Sequence, residues 1–173
     1  VDMAGTDYTV IPLAKSTYES IYILALHPAT TVTLHNETGE ETILLDSLQS
    51  DSRMIKGVTY IHADAEIQVF QLTNKNGESG GTVLPQMLCT GSYNVTYKRI
   101  PNSDYTILNI LTQTANLGYL YVNGNEIPVE NFTLIPGTDG AWSYVSLDVT
   151  AKPADMPLEV ESLRGVFQLG VVD

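Results

Sequence analysis

The sequence predicts an all-β protein built as two similar antiparallel β-sandwich-like halves, residues 1–82 and 83–173, with little or no helix. Three observations predict it. Apolar and polar residues alternate with a period of two, not 3.6, along almost the whole chain. Turn-forming clusters separate the alternating runs at short intervals, as in sandwiches and barrels. Landmarks of the first half also recur in order in the second, each series closing on one tetrapeptide, Val69-Phe70-Gln71-Leu72 and Val166-Phe167-Gln168-Leu169.

Taken in order, Thr9-Val10-Ile11, Ser20 to Leu26, Thr31 to His35 and Thr42 to Leu45 read as strands, rich in β-branched and aromatic residues. Asn36-Glu37-Thr38-Gly39 turns the chain between two of them, and Leu44 to Leu48 has room for one helical turn. Gly57 to His62 and Ile67 to Leu72 follow, with Ala63-Asp64-Ala65 as a tight link. Asn74 to Gly81, with three glycines, reads as the most flexible stretch and ends the first half. The second half gives strands at Tyr93 to Lys98, Tyr105 to Leu111, Gly118 to Val122, Phe132 to Ile135, Trp142 to Asp148, Leu158 to Val160 and Gly165 to Val172. Asn123-Gly124 is the strongest hairpin signal, because a type I′ turn needs positive φ at both central residues. Val129 to Phe132 is a second single turn, too short to stand alone. Pro136 to Gly140 is a further turn cluster.

The recurrence runs as follows. Tyr8-Thr9-Val10 matches Tyr93-Asn94-Val95, each a few residues after a glycine. Tyr22 to Leu26 matches Ile107 to Leu111, and Val32 to Asn36 matches Tyr119 to Asn123. The spacing between copies widens late, where Lys152 to Pro157 supply extra residues, and insertions belong in loops. The competing explanation is that all strands draw on the same few residues. The halves are expected to pack together as one compact unit.

The chain has 20 acidic and 8 basic residues, a net charge of −12. Nothing in that balance neutralises a phosphate ladder, so nucleic acid and anionic lipid are excluded as partners. No apolar run approaches the roughly 20 residues of a membrane helix, and Val1-Asp2-Met3-Ala4-Gly5 has no signal-peptide pattern. The single cysteine, Cys89, cannot form an internal disulfide. It suits a reduced compartment, or pairing with a cysteine outside this sequence.

Chemistry-bearing motifs are sparse. There is no phosphate loop, dinucleotide fingerprint or nucleophile elbow. His27, His35 and His62 stand far apart in sequence, and none is placed beside a serine and an acid. No catalytic residue and no cofactor are expected. His62, Asp64 and Glu66 alternate, and on a continuous strand would share a face suited to a divalent metal. The link at Ala63-Asp64-Ala65 breaks that face, so a solvated turn is expected. Glu40-Glu41 and the pair Glu159 and Glu161 read as surface acids, because glycosidases need two carboxyls across a cleft. Tyr119 and Tyr121 share one strand face, and Trp142 and Tyr144 share another. Such rows bind sugars or a protein partner, or simply pack as cross-strand pairs.

Four segments bear a family resemblance. In order they are Val83 to Ser92, Tyr121-Val122-Asn123-Gly124, Phe132 to Trp142 and Gly165 to Asp173. Together they resemble the IgG Fc-binding protein N-terminal domain family, in the form found in large secreted surface proteins of Bacteroidetes-type bacteria. Ile61 to Val69 is similar to that family's strand-turn-strand element. The resemblance implies a non-enzymatic all-β module of a larger extracellular or cell-surface protein. Its implied partners are a protein or glycan ligand at the cell exterior and the neighbouring domains of the same chain, without membrane insertion. A structural spacer is the alternative, and a carbohydrate-binding module a third reading. A binder is expected to expose a contiguous aromatic or apolar patch, and a spacer none.

Overall fold

The computed structural model describes residues 3–13, 18–75, 78–88, 90–100, 105–153 and 156–172. Cys89 lies outside them, and with it the expectation about its pairing. Among the described residues all regular structure is β, apart from single 3-10 turns at Thr114–Asn116 and Val129–Asn131. No helix among them is long and apolar enough to cross a membrane. The chain divides into two compact units, Val1–Thr90 and Gly91–Asp173. The segment after Val83, expected to open the second half, bonds within the first unit. Leu84 N–H donates to the Val69 carbonyl and Met87 N–H to that of Asp7, both at 2.8 Å.

The first unit contains β1 (Gly5–Val10), β2 (Tyr18–Ala25), β3 (Thr30–Asn36), β4 (Gly39–Leu45), β5 (Ser50–Ile55), β6 (Thr59–Lys75) and β7 (Glu78–Val83). Every pairing is antiparallel. The first half of β6 lies between β3 and β1, with β4 beyond β3. Its second half lies between β2 and β7, with β5 beyond β2. One strand of 17 residues therefore runs through both layers. This corrects the expected link at Ala63-Asp64-Ala65: the chain stays extended there and changes partners. β3 pairs as far as Val32 opposite Ala63, and β2 begins with Ala25 opposite Ile67. Backbone groups at the changeover still find partners. Asp64 Oδ1 accepts from Thr31 N–H at 2.8 Å, and the Glu66 carbonyl from Leu26 N–H at 3.1 Å.

Alternation fills the core between the layers. Ile21, Ile23, Ile61, Ile67, Val69 and Tyr8 are all fully buried, each aliphatic side chain contributing about 1.5–3 kcal/mol. The Tyr8 hydroxyl donates to the Ile67 carbonyl at 2.7 Å. Glu19 is also buried, at 3% exposure. Its carboxylate accepts from Leu13 N–H at 2.9 Å, Gln71 Nε2 at 3.0 Å and the Thr73 hydroxyl at 2.8 Å. That satisfies the charge and ties the link between β1 and β2 to β6.

The second unit contains β8 (Asn94–Lys98), β9 (Ile107–Gln113), β10 (Leu120–Val122), β11 (Asn125–Glu126), β12 (Thr133–Leu134), β13 (Trp142–Asp148), β14 (Pro157–Ser162) and β15 (Phe167–Val172). They form two four-stranded sheets, β11–β10–β14–β8 and β12–β13–β9–β15. Leu108 and Ile110 of one meet Leu120, Leu158 and Val160 of the other in a buried core. The hairpin read from Asn123-Gly124 is present: φ is 49° and 74° at the two residues, and Val122 pairs with Asn125. The shared tetrapeptide, however, is presented oppositely in the two units. In the first, Val69 is fully buried while Phe70 faces outward beside Tyr22; in the second, Phe167 is 1% exposed and Val166 is 37% exposed.

Candidate binding surface

The outer face of the β7–β6–β2–β5 layer is assembled rung by rung. Val83, Phe70, Tyr22 and Ser52 lie side by side across four strands. Gly81, Leu72, Ser20 and Met54 form the next rung, and Gln68, Leu24 and Ser50 a third on the other side. None of these residues carries a charge, in a chain of net −12. Strand alternation explains the separation: on β5 the charged Asp51 and Arg53 point inward while Ser50, Ser52 and Met54 point out. Met54 is 72% exposed, Tyr22 46% and Val83 38%. The Tyr22 and Phe70 rings stand 6.3 Å apart, inclined at 58°. Gly81 is required under that pair, because an added Cβ would lie 2.4 Å from Phe70 Cζ and 2.9 Å from the Gln71 carbonyl oxygen. The three rungs cover roughly 300 Å² at ordinary strand spacing, within the size of a functional surface patch.

A polar cluster occupies the outer face of the other layer. Asp7 on β1 accepts from the Tyr60 hydroxyl, from His62 Nδ1 at 2.9 Å and from the Thr6 hydroxyl at 2.6 Å. His35 and His62 flank the Tyr60 ring, with centroids at 5.7 Å and 6.3 Å. Burial alone would raise the Asp7 pKa, but the three donors and the His62 charge outweigh it and hold it below its ordinary value. The Tyr60 phenol is pushed up, first by burial and then by donating to Asp7.

The residues singled out from sequence are dispersed. His62, Asp64 and Glu66 do lie along one strand, yet each turns to a different neighbour: Asp7, Thr31 N–H, and His27 at 3.4 Å. No group of three His, Cys, Asp or Glu side chains among the described residues can hold a metal ion. Glu40 sits 3.3 Å from His35, and Glu41 pairs with Arg53 at 3.0 Å. Tyr121 lies on β10 between Glu126 and Glu161, and Tyr119 precedes it with Arg164 stacked at 5.3 Å. Trp142 and Tyr144 lie on the outward side of β13, in the other sheet of that sandwich. The two aromatic pairs therefore look away from one another and make no joint surface. The uncharged face is hidden in the sequence because two of its four strands, β5 and β7, carry too few apolar residues to be read as strands. Its one linear signal is the Tyr22 and Phe70 pair, which only the β2–β6 register brings together.

A family model described as IgGFc binding protein covers residues 1–170. No curated protein and no solved structure matches the chain.

Proposed function

We propose, for a chain that belongs to the IgGFc binding protein family, the role of a non-catalytic extracellular binding module in a larger bacterial surface or secreted protein, with a protein as its ligand. The observation that carries this reading is the uncharged outer face of the β7–β6–β2–β5 layer. A spacer needs no such face. Its size suits the desolvated centre of a protein interface, where aromatic anchors dominate and charges are depleted. Matching that centre calls for a neutral, apolar partner surface, since a charge buried against it would lose hydration with nothing to replace it. The ring geometry favours protein over glycan. A sugar stacks on a flat aromatic platform, whereas the Tyr22 and Phe70 rings are inclined at 58°.

The test is binding of the full chain to immunoglobulin Fc, to mucin and to a glycan array. A protein ligand is expected, with Tyr22→Ser and Met54→Ser each weakening it at least about tenfold, or about 1.4 kcal/mol. Met54 is largely exposed, so the stability of Met54→Ser should stay within about 0.5 kcal/mol of the parent, while Tyr22→Ser also loses the contact with Phe70, at a cost of about 0.5–1.5 kcal/mol. Silence from every ligand leaves the spacer reading in place. Binding that ignores both substitutions removes this face as the site.

A further inference from the structure

The β7–β6–β2–β5 layer ends on one side at β7. Exposed sheet edges are ordinarily defended by charge, brevity, proline, a bulge or a covering segment, and other outer strands of the first unit follow that rule. β4 carries Glu40 and Glu41, and β5 carries Asp51 and Arg53. β1 has a bulge between Gly5 and Asp7, and its Asp7 carbonyl accepts from Met87 N–H at 2.8 Å. From Ser79 to Val83, β7 has none of these devices. That stretch is uncharged, exposed and free of proline, and it runs in unbroken register with β6. Among the described residues, no strand pairs with its outer edge.

The phase of the hydrogen bonds fixes which backbone groups this edge offers. Leu84 N–H donates to the Val69 carbonyl at 2.8 Å, one rung beyond Val83 opposite Phe70. Hydrogen-bonded and non-hydrogen-bonded pairs alternate along an antiparallel ladder. Thr82 and Gly80 therefore turn their backbone groups towards β6, and Ser79, Gly81 and Val83 turn theirs to solvent. The other side of β6 agrees: the Glu66 carbonyl accepts from Leu26 N–H, so even-numbered residues of β6 bond towards β2. The Thr82 hydroxyl reaches the Val83 carbonyl at 3.2 Å, which leaves that oxygen a second lone pair.

The residues that turn outward also belong to the uncharged face. Val83 shares a rung with Phe70, Tyr22 and Ser52, and Gly81 with Leu72, Ser20 and Met54. A residue paired directly with either puts its side chain on that face too. Opposite Gly81 it meets no side chain on β7, only the flank of the Phe70 ring that lies across the glycine. Gly80 has nothing within 4 Å of an added Cβ. Packing inside the unit therefore does not require glycine at that position. A second backbone does favour one there, because Cα atoms approach to about 4.5 Å at a non-hydrogen-bonded pair.

We propose that the outer edge of β7 is where the protein ligand docks, adding an extended antiparallel strand to Ser79, Gly81 and Val83 and laying alternate apolar side chains beside Phe70 and Val83. This rests on the reading of the β7–β6–β2–β5 face as the binding surface. Backbone bonds supply attraction whatever the sequence, and the face selects by side chain, as in other strand-addition complexes. A charge in register with Gly81 would lose hydration against Phe70, so the segment that fits is uncharged on that side. A second copy of this chain fits less well, because two bodies of net charge −12 repel each other.

The experiment is amide hydrogen exchange on the full chain, alone and with the acetylated and amidated neutral peptide Thr-Val-Thr-Val-Thr. The Ser79, Gly81 and Val83 amides should exchange fast in the chain alone. They should slow at least about threefold with peptide at about twice a millimolar dissociation constant. Val83→Pro removes one outward donor, which an edge strand tolerates, and should abolish the slowing at Ser79 and Gly81. Val83→Ala keeps that donor and should retain the slowing. Ser79→Pro makes the same test at the other end of the edge if Val83→Pro lowers the melting temperature. Slow exchange at these amides in the chain alone, including through pairing with a second copy in sedimentation, would overturn the proposal. So would peptide that slows none of them, slowing that survives Val83→Pro, or equal loss in Val83→Pro and Val83→Ala. A protein ligand weakened by Tyr22→Ser and untouched by Val83→Pro leaves the face in place and removes the edge. Binding indifferent to both removes the face itself.

Discussion

Replacing Glu19 by alanine should unfold the first unit while the second stands. The buried carboxylate takes one backbone and two side-chain donors. Hydrogen bonds to a charged acceptor contribute about 1.5–3 kcal/mol each. Truncation also strands the donors of Leu13 and Thr73, while Gln71 Nε2 keeps the Ile11 carbonyl at 3.2 Å, and water entering the vacated space restores part of the loss. The expected cost is about 3–5 kcal/mol, which for a unit of this size lowers the melting temperature by roughly 15–30 °C. Glu19→Gln keeps one acceptor oxygen but turns an amide towards existing donors, so it should fall between the parent and Glu19→Ala. The assay separates the units, because the single tryptophan, Trp142, lies in the second. Circular dichroism should show an early transition that tryptophan fluorescence does not follow. If Glu19→Ala melts within 1 kcal/mol of the parent, the carboxylate does not anchor the link between β1 and β2, and the reasoning fails.

The Asp7 cluster should give the first unit opposite responses at the two ends of the pH scale. The folded pKa of Asp7 is depressed, so its contribution is present above the unfolded value of about 3.9 and is lost as pH falls through the folded one. Urea midpoints of Asp7→Asn should therefore fall less steeply than the parent's below pH 4. Tyr60 is shifted upward, so its contribution is present below about pH 10 and is lost as pH rises towards the folded value. Tyr60→Phe should flatten that alkaline decline, and identical slopes in parent and variant would contradict the cluster. Gly81→Ala should cost about 1–3 kcal/mol by pressing on Phe70, and Phe70→Ala should absorb much of that cost. A double-mutant cycle in denaturant that proves additive would refute the contact.

The fold is legible wherever one strand face is mainly apolar. β2, β3 and β13 alternate cleanly, and the Asn123-Gly124 turn carries its own backbone requirement. β5 escaped because its inward positions hold Asp51 and Arg53, leaving only Ile55 buried. β7 escaped because Gly80-Gly81 reads as a flexible loop until the Phe70 ring is seen to need the room. The small residues Ala63 and Ala65 looked like a turn, yet they let an extended strand pass between two sets of partners. The candidate surface was less legible than the fold. It gathers single residues from four strands, and only the hydrogen-bond register decides which of them are neighbours. The twin tetrapeptide says little of any kinship between the halves, because its residues face opposite ways in the two units.

The unbroken course of β6 has a mechanical side. A strand shared by two layers makes them a single load-bearing block: pulling either layer away means stripping hydrogen bonds from the same 17 residues. The first unit should consequently open all at once, with amides of both layers exchanging through one shared event. In the second unit each sheet has its own strand, β14 in one and β15 in the other, with residues 163–166 as a joint between them. Under tension, the second unit is the one able to yield layer by layer, while the first holds until it fails as a whole.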